Sequence, residues 1–302
     1  MRAWLMAVAF VLPGAVQAAD VLGTVTILEG QALVYRATGR VQAAEGVRLA
    51  PGDIVETAPS TFAQLELPDR SVIQLGPATR LMFTAPAARQ KTEHVLYLLE
   101  GWLKLATMAR DSAAGPGFDL RAPQFEVPAS KAVAVLHATP TELRLFVETG
   151  EARVGERQKS GPPALVGLRA GDFYQRKPPA RSSVATTVPA AFVEAVPRAF
   201  RDSLPSRIDR FRDRAVTPKD ASAFAYADVE DWLKAEPAVR RPLMQRWRVK
   251  ANESAFRAAL VANLSSHPEW DPILFPEKYK PKEPPVPPRP SAQPQARAAS
   301  AP

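Results

Sequence analysis

One phrase recurs three times in this chain and limits what it can fold into. It runs Gly23-Thr24-Val25-Thr26-Ile27-Leu28-Glu29-Gly30-Gln31-Ala32-Leu33-Val34, then Leu96-Tyr97-Leu98-Leu99-Glu100-Gly101-Trp102-Leu103-Lys104-Leu105. The third copy is Leu143-Arg144-Leu145-Phe146-Val147-Glu148-Thr149-Gly150-Glu151-Ala152-Arg153-Val154. Each copy is an alternating apolar run, an acidic residue one or two places before a glycine, and a second alternating run. Alternation of period two marks a half-buried strand. A glycine between two such runs supplies the backbone freedom of a turn, bulge or bend. The recurrence predicts a stacked, repetitive β architecture whose interior is packing and whose outside is contact surface.

Residues 20–178 read as β throughout. Pro51-Gly52-Asp53 is turn chemistry between two short strands. Phe62 to Leu67 alternates cleanly, Pro68-Asp69-Arg70-Ser71 turns, and Ser71 to Leu75 returns before Arg80 to Thr84. The second half echoes the first, because Gly171-Asp172 repeats Gly52-Asp53 with a leucine three residues before each glycine (Leu168 and Leu49). Arg110 to Gly117 reads as a loop. The turn positions are thus Gly30, Gly52, Asp53, Gly101, Gly150, Gly171 and Asp172. Asp53 and Asp172 suggest a carboxylate pair, but an Asp after Gly at a turn ordinarily accepts from local backbone N–H groups. Glu29, Glu100 and Glu148 recur at one place in a repeat and are read as turn geometry. A valine at Gly52 is expected to cost a few kcal/mol, since a β-branched residue resists positive φ.

Residues 179–188, with Pro, Arg and Ser, read as a linker. Beyond it the period becomes helical: Phe192, Val196, Phe200, Leu204 and Ile208 fall four apart, with Phe211 three further on. Pro189, Pro197 and Pro205 sit where short helices begin, and Asp228 and Asn252 are candidate N-caps. Residues 189–279 are therefore a small α-helical region, either its own domain or a cuff on the β part. Residues 280–302 have the composition of a disordered, polyproline-type tail.

The first residues specify export. Met1-Arg2 is positive, Ala3 to Leu12 apolar, Pro13-Gly14 breaks the helix, and Val16-Gln17-Ala18 offers a cleavage site. This is a signal peptide over 1–18. The apolar run is shorter than the ~20 residues of a spanning helix, so no integral membrane segment is expected after cleavage. The chain has no cysteine, hence no disulfide, which fits the periplasm of a Gram-negative bacterium. A net charge of +8 favours acidic partners. Yet the bases alternate with acids, as in Arg207 to Arg214, and no basic block or zinc-finger spacing appears, so nucleic acid is excluded as a partner.

Chemical constellations are missing. His94, His137 and His267 are far apart, no Gly-x-Ser-x-Gly or phosphate-cradling glycine loop occurs, and no catalytic, cofactor-binding or metal-ligating residue is assigned. Trp102, Phe146 and Tyr174 are read as packing residues. Glu230, Asp231 and Glu269, the carboxylates an enzyme reading would use, are read as acids of first helical turns.

Taken in order, Gly23-x-Val25, Gly30, Leu49-x-x-Gly52-Asp53-x-Val55-x-Thr57, Ala63-x-Leu65-x-Leu67-x-Asp69-x-Ser71 and Leu96 to Gly101 resemble the FecR domain. That domain is the periplasmic part of iron-citrate-type signalling regulators. The resemblance is most specific over 45–105, continues loosely through Phe118 to Pro123 and Gly150 to Asp172, and does not reach the helical region. It implies a mainly β fold, a short twisted β-helix or solenoid-like stack. The family's Asp-Gly-Ser turn is Asp69-Arg70-Ser71 here, so this turn is open to reshaping. The regulators carry a cytoplasmic sigma-factor-binding segment and a transmembrane helix ahead of this domain, where this chain carries a signal peptide. The expected function is a non-enzymatic periplasmic module that docks an envelope protein in signalling or scaffolding. The alternative is binding of peptidoglycan or another envelope glycan, motivated by charge, tryptophans and the Pro-rich tail.

Overall fold

The structure, a computed structural model, describes residues 21–84, 94–107, 118–128, 130–158, 160–214 and 216–280. The segments expected to be a signal peptide (1–18), a loop (Arg110 to Gly117) and a disordered tail lie outside these residues, apart from Lys280. The alternating runs become strands β1 (Gly23–Glu29), β2 (Ala32–Arg36), β3 (Gly39–Gln42), β4 (Arg48–Leu49), β5 (Ile54–Thr57), β6 (Phe62–Glu66), β7 (Val72–Leu75) and β8 (Arg80–Thr84). They continue as β9 (His94–Ala106), β10 (Phe118–Ala122), β11 (Phe125–Val127), β12 (Ala132–Ala138), β13 (Leu143–Glu156), β14 (Ala164–Arg169), β15 (Phe173–Arg176), β16 (Ser183–Ala185) and β17 (Lys219–Ala223).

Two sheets face each other. The first runs β4–β1–β6–β7–β9–β12–β13–β15–β16. The second runs β17–β3–β2–β5–β8–β9–β10–β11–β13–β14. The long strands β9 and β13 belong to both, bending at Gly101 and Gly150. Every ladder among the described residues is antiparallel except β9–β10. This differs from a twisted β-helix, whose coils stack in parallel. Tight reversals such as 68–71 send the chain back beside itself, and a strand that returns through a short turn pairs antiparallel. At that reversal Arg70 takes φ +68°, and Asp69 Oδ1 accepts the Ser71 N–H at 2.9 Å. The backbone therefore takes a left-handed residue at this turn without a glycine to supply it. Arg70→Gly is expected to be neutral or to raise stability by up to about 1 kcal/mol, since it relieves a strained conformation. A thermal melt checks this.

Alternation aims one side chain in two between the sheets. Val34, Val55, Leu65, Ile73, Leu81, Leu98, Leu103, Leu136, Leu145 and Val154 meet there in one buried cluster. The other side chains of many strands are also buried, because residues 189–280 cover much of both outer faces. Over the first sheet runs a strap holding α1 (Ala190–Ala195) and a 3-10 turn, Arg198–Arg201. Phe192 and Phe200 cluster with Ile27, Phe62, Val135 and Phe173. Further on, the strap lies across a polar stripe. Lys104 Nζ donates to the Phe200 carbonyl at 2.6 Å, and the buried Glu66 accepts from the Arg207 N–H at 2.7 Å and from the Ser206 hydroxyl. The helical spacing from Phe192 to Phe211 thus serves short turns, because Pro197 and Pro205 interrupt an α-helix.

The chain next adds β17 to β3 and covers part of the second sheet with α2 (Tyr226–Lys234), α3 (Pro237–Trp247), α4 (Ser254–Ala262) and α5 (Asp271–Leu274). Trp232, Trp247 and Trp270 share a buried cluster with Tyr35, Ile54, Met82, Tyr97 and Leu99 of the strands. Trp232 Nε1–H donates to Glu56 at 3.0 Å. Burial raises the pKa of Glu56. Three acids at or near α2 meet three arginines of the β part: Asp228 with Arg40, Asp231 with Arg80 and Glu236 with Arg157. The helices are therefore a cuff on the β part that uses its side chains as core. The expected caps differ. α2 starts at Ala225, where Asp228 accepts the Ala225 N–H at 2.7 Å from the third helical position, and Asn252 ends a 3-10 turn without capping. Of the three carboxylates read as first-turn acids, only Glu269 opens a turn. Glu230 and Asp231 lie inside α2, and all three sit in ion pairs.

Candidate functional site

Each glycine named as a turn position has positive φ: Gly30 +94°, Gly52 +87°, Gly101 +105°, Gly150 +78° and Gly171 +92°. Gly30 and Gly101 are corners where the chain passes between sheets, and each is clamped by a threonine. Thr61 Oγ1 accepts the Gln31 N–H at 2.9 Å and donates to the Gln31 carbonyl at 2.8 Å. Thr79 Oγ1 does the same for Trp102, at 2.9 and 3.0 Å. Sequence reading missed both threonines, although Pro59-Ser60-Thr61 and Pro77-Ala78-Thr79 repeat one Pro-x-Thr pattern ahead of a strand.

The Gly-Asp turns also form a pair. Asp53 Oδ2 accepts the Ala50 N–H at 2.9 Å, and Asp172 Oδ2 accepts the Arg169 N–H at 2.8 Å. Each turn docks on a neighbouring strand: Gly52 N–H and Asp53 O on Phe83, Gly171 N–H and Asp172 O on Val147. These aspartates are far apart in the fold and hold backbone.

The two turns differ in what covers them. Asp53 is buried and bound bidentately by Arg36, with Nε at 3.0 Å and Nη2 at 2.5 Å. From α3, Arg246 donates to the carbonyls of Tyr35 at 3.0 Å, of Ala37 at 3.1 Å and of Gly52. Burial lowers the pKa of that guanidinium. Around Gly171, no atom lies within 4 Å of where a Cβ would sit. This second turn opens onto a cleft of about 1070 Å³ that Gly150, Glu151, Arg153, Arg169, Lys131 and Asp172 help to line.

A smaller hollow of about 430 Å³ lies at Trp102 and His137, whose rings stack with centroids 4.3 Å apart. Burial lowers the pKa of His137. His267 lies fully buried in the cuff, with Nε2 3.1 Å from the Tyr226 hydroxyl and Nδ1 unpartnered. Burial lowers its pKa, helped by Arg240 and Lys234 and opposed by Glu269 and its own backbone. A group with a depressed folded pKa contributes stability that is complete above its unfolded value, about 6.5 for imidazole, and that is lost as pH falls through the folded value. The melting temperature is expected to fall from pH 7.5 to 5, and to fall less in His267→Gln, which keeps a polar partner for Tyr226 without titrating. An equal fall in the variant would assign the effect to other groups.

Among the described residues no cluster of His, Cys, Asp and Glu is arranged to hold a metal ion, and no helix is long and apolar enough to cross a membrane. Tryptophans 232, 247 and 270 are at most 1 % exposed, so they present no sugar platform.

Residues 53–153 match the model of the FecR protein family. Two crystal structures of a "putative anti-sigma factor" from Parabacteroides distasonis ATCC 8503, at 2.50 and 1.65 Å resolution, are similar at 18% identity and a TM-score of 0.37. Each match covers 44% of this chain and 59% of the other. No curated protein matches the sequence. The matched segment, about a third of the chain, runs from Asp53 at the first Gly-Asp turn to Arg153 on β13, so the similarity to the FecR protein family takes in the two bent strands.

Proposed function

We propose that this chain is a non-enzymatic periplasmic binding module, exported by its signal peptide, that docks another envelope protein in signalling or scaffolding. The family match supports a sensing or regulatory role for the β part. The observation that carries the docking reading is the uneven cover of the two sheets. The strap and cuff cover much of the outer faces, while the sheets end in strands that pair on one side only among the described residues, β4 and β16 in the first sheet and β17 and β14 in the second. Open edges accept added strands. Envelope-glycan binding, the alternative, keeps the positive charge and the Pro-rich tail as its motivation, while three of the tryptophans are core residues. The test is in-cell crosslinking of the tagged, exported protein followed by mass spectrometry. A discrete envelope protein is expected; recovery of cell-wall fragments alone would move the assignment to glycan binding.

A further inference from the structure

The docking surface can be narrowed, on the reading that this chain docks a protein. β14 pairs with β13 alone among the described residues. Its outward N–H and C=O groups have no ladder partner. Leu168 enters the core and Val166 packs against it, so Leu165, Gly167 and Arg169 point to the outer face. Leu165 is 63 % exposed, the most exposed large apolar side chain among the described residues. Register sets Gly155 opposite Leu165, Arg153 opposite Gly167 and Glu151 opposite Arg169. A Cβ on Gly167 would have no atom within 4 Å. A gap thus lies between Leu165 and Arg169, with Arg153 beside it.

The chemistry here is cationic. Arg153, Arg169 and Lys131 are exposed and line the same cleft, and none makes an ion pair with a described residue. Against these three bases stand the cleft's two acids, Glu151 opposite Arg169 and Asp172, whose carboxylate also accepts the Arg169 N–H, so the lining keeps an excess of one positive charge. Pro162-Pro163 precede β14 and limit the strand to six residues, enough to pair a segment of about 20 Å.

We infer that β14 and the adjoining cleft receive an extended acidic segment of the envelope partner, added as a strand along β14. An apolar side chain would lie on Leu165, and carboxylates would reach Arg153 and Arg169 through the gap at Gly167. A second copy of this chain fits poorly, because its own β14, Ala164–Arg169, brings no carboxylate to meet Arg153 and Arg169. The chain's own residues 281–302 hold a single acid, Glu283, beside Lys282 and between prolines, and so do not supply an extended acidic segment.

The experiment places a photo-crosslinking amino acid, one site at a time, at Leu165, Val193 and Val249 of the full exported chain in cells. The latter two are exposed apolar sites, on the strap and the cuff. The expected result is a crosslink from Leu165 to one envelope protein, mapped to a segment that alternates apolar and acidic residues. Its yield should fall at least tenfold in Arg153→Glu/Arg169→Glu with an unchanged melting temperature. A crosslink to a second copy, to a neutral or basic segment, or one indifferent to the charge reversal overturns the inference. Protein crosslinks from Val193 or Val249 without any from Leu165 overturn it while leaving the docking reading intact. No protein crosslink from any site overturns both.

Discussion

A chain that ends after residue 188 is expected to be exported and then to aggregate. Cutting there uncovers Tyr35, Ile54, Met82, Tyr97 and Leu99 on the second sheet and Ile27, Phe62, Val135 and Phe173 on the first, all at most 6 % exposed in the intact protein. Burial of one such side chain is worth about 1.5–3 kcal/mol. Nine of them together exceed on the order of 10 kcal/mol, comparable to the whole net stability of an ordinary domain. The cut also leaves Glu66 without the Ser206 and Arg207 donors and Glu56 without the Trp232 indole. Soluble yield and dye binding to exposed apolar surface are the readouts. A soluble, cooperatively melting 20–188 fragment would show that the cuff is a separate domain. The same shared core predicts that strands and cuff of the intact protein unfold in one transition.

Valine substitutions at three glycines should separate backbone strain from crowding. All three positions have φ between +78° and +92°, so each valine carries conformational strain of about 1–3 kcal/mol. At Gly171 nothing else is added, because the space is empty. At Gly52 the added Cβ meets Arg246 Nη1 at 3.2 Å, the end of a flexible side chain, and the carbonyl clamp from α3 is disturbed. At Gly150 the Cβ overlaps the Lys131 carbonyl oxygen and approaches the Ala132 Cα to 3.0 Å. Backbone cannot move aside without shifting the start of β12. The expected order of loss is Gly150→Val, then Gly52→Val, then Gly171→Val, with about 4–5 kcal/mol at Gly150. At about 2–4 °C per kcal/mol for a chain of this size, Gly150→Val should lower the melting temperature by about 10–15 °C. Equal losses at all three sites would mean that the bend at Gly150 is not held by the Lys131 carbonyl.

The strands were legible where alternation is strong. Val25 to Val34, Phe62 to Leu75, Leu96 to Leu105 and Leu143 to Val154 fall where the period of two places them, and all five turn glycines have the positive φ that their contexts imply. β17 was not legible. Lys219-Asp220-Ala221-Ser222-Ala223 has no apolar periodicity and is exposed throughout; the free edge of β3 makes it a strand. The Phe192 to Phe211 spacing is helical in number, yet prolines and the flat face of the first sheet turn it into a strap. Of the proposed docking residues, sequence reading placed Leu165 in a strand and Arg153 in a repeat, with no sign that either faces solvent beside an open edge.

From the sequence alone followed whatever is settled by neighbours along the chain: which residues alternate, where φ must be positive, and where a carboxylate can bind its own turn. These rest on local sterics and short-range hydrogen bonds. Tertiary structure alone decided which of two identical turns is clamped by Arg246 and which stays open, and which faces the C-terminal residues cover. Those outcomes depend on groups as far as 211 positions apart, and no local pattern carries the free energy of bringing them together.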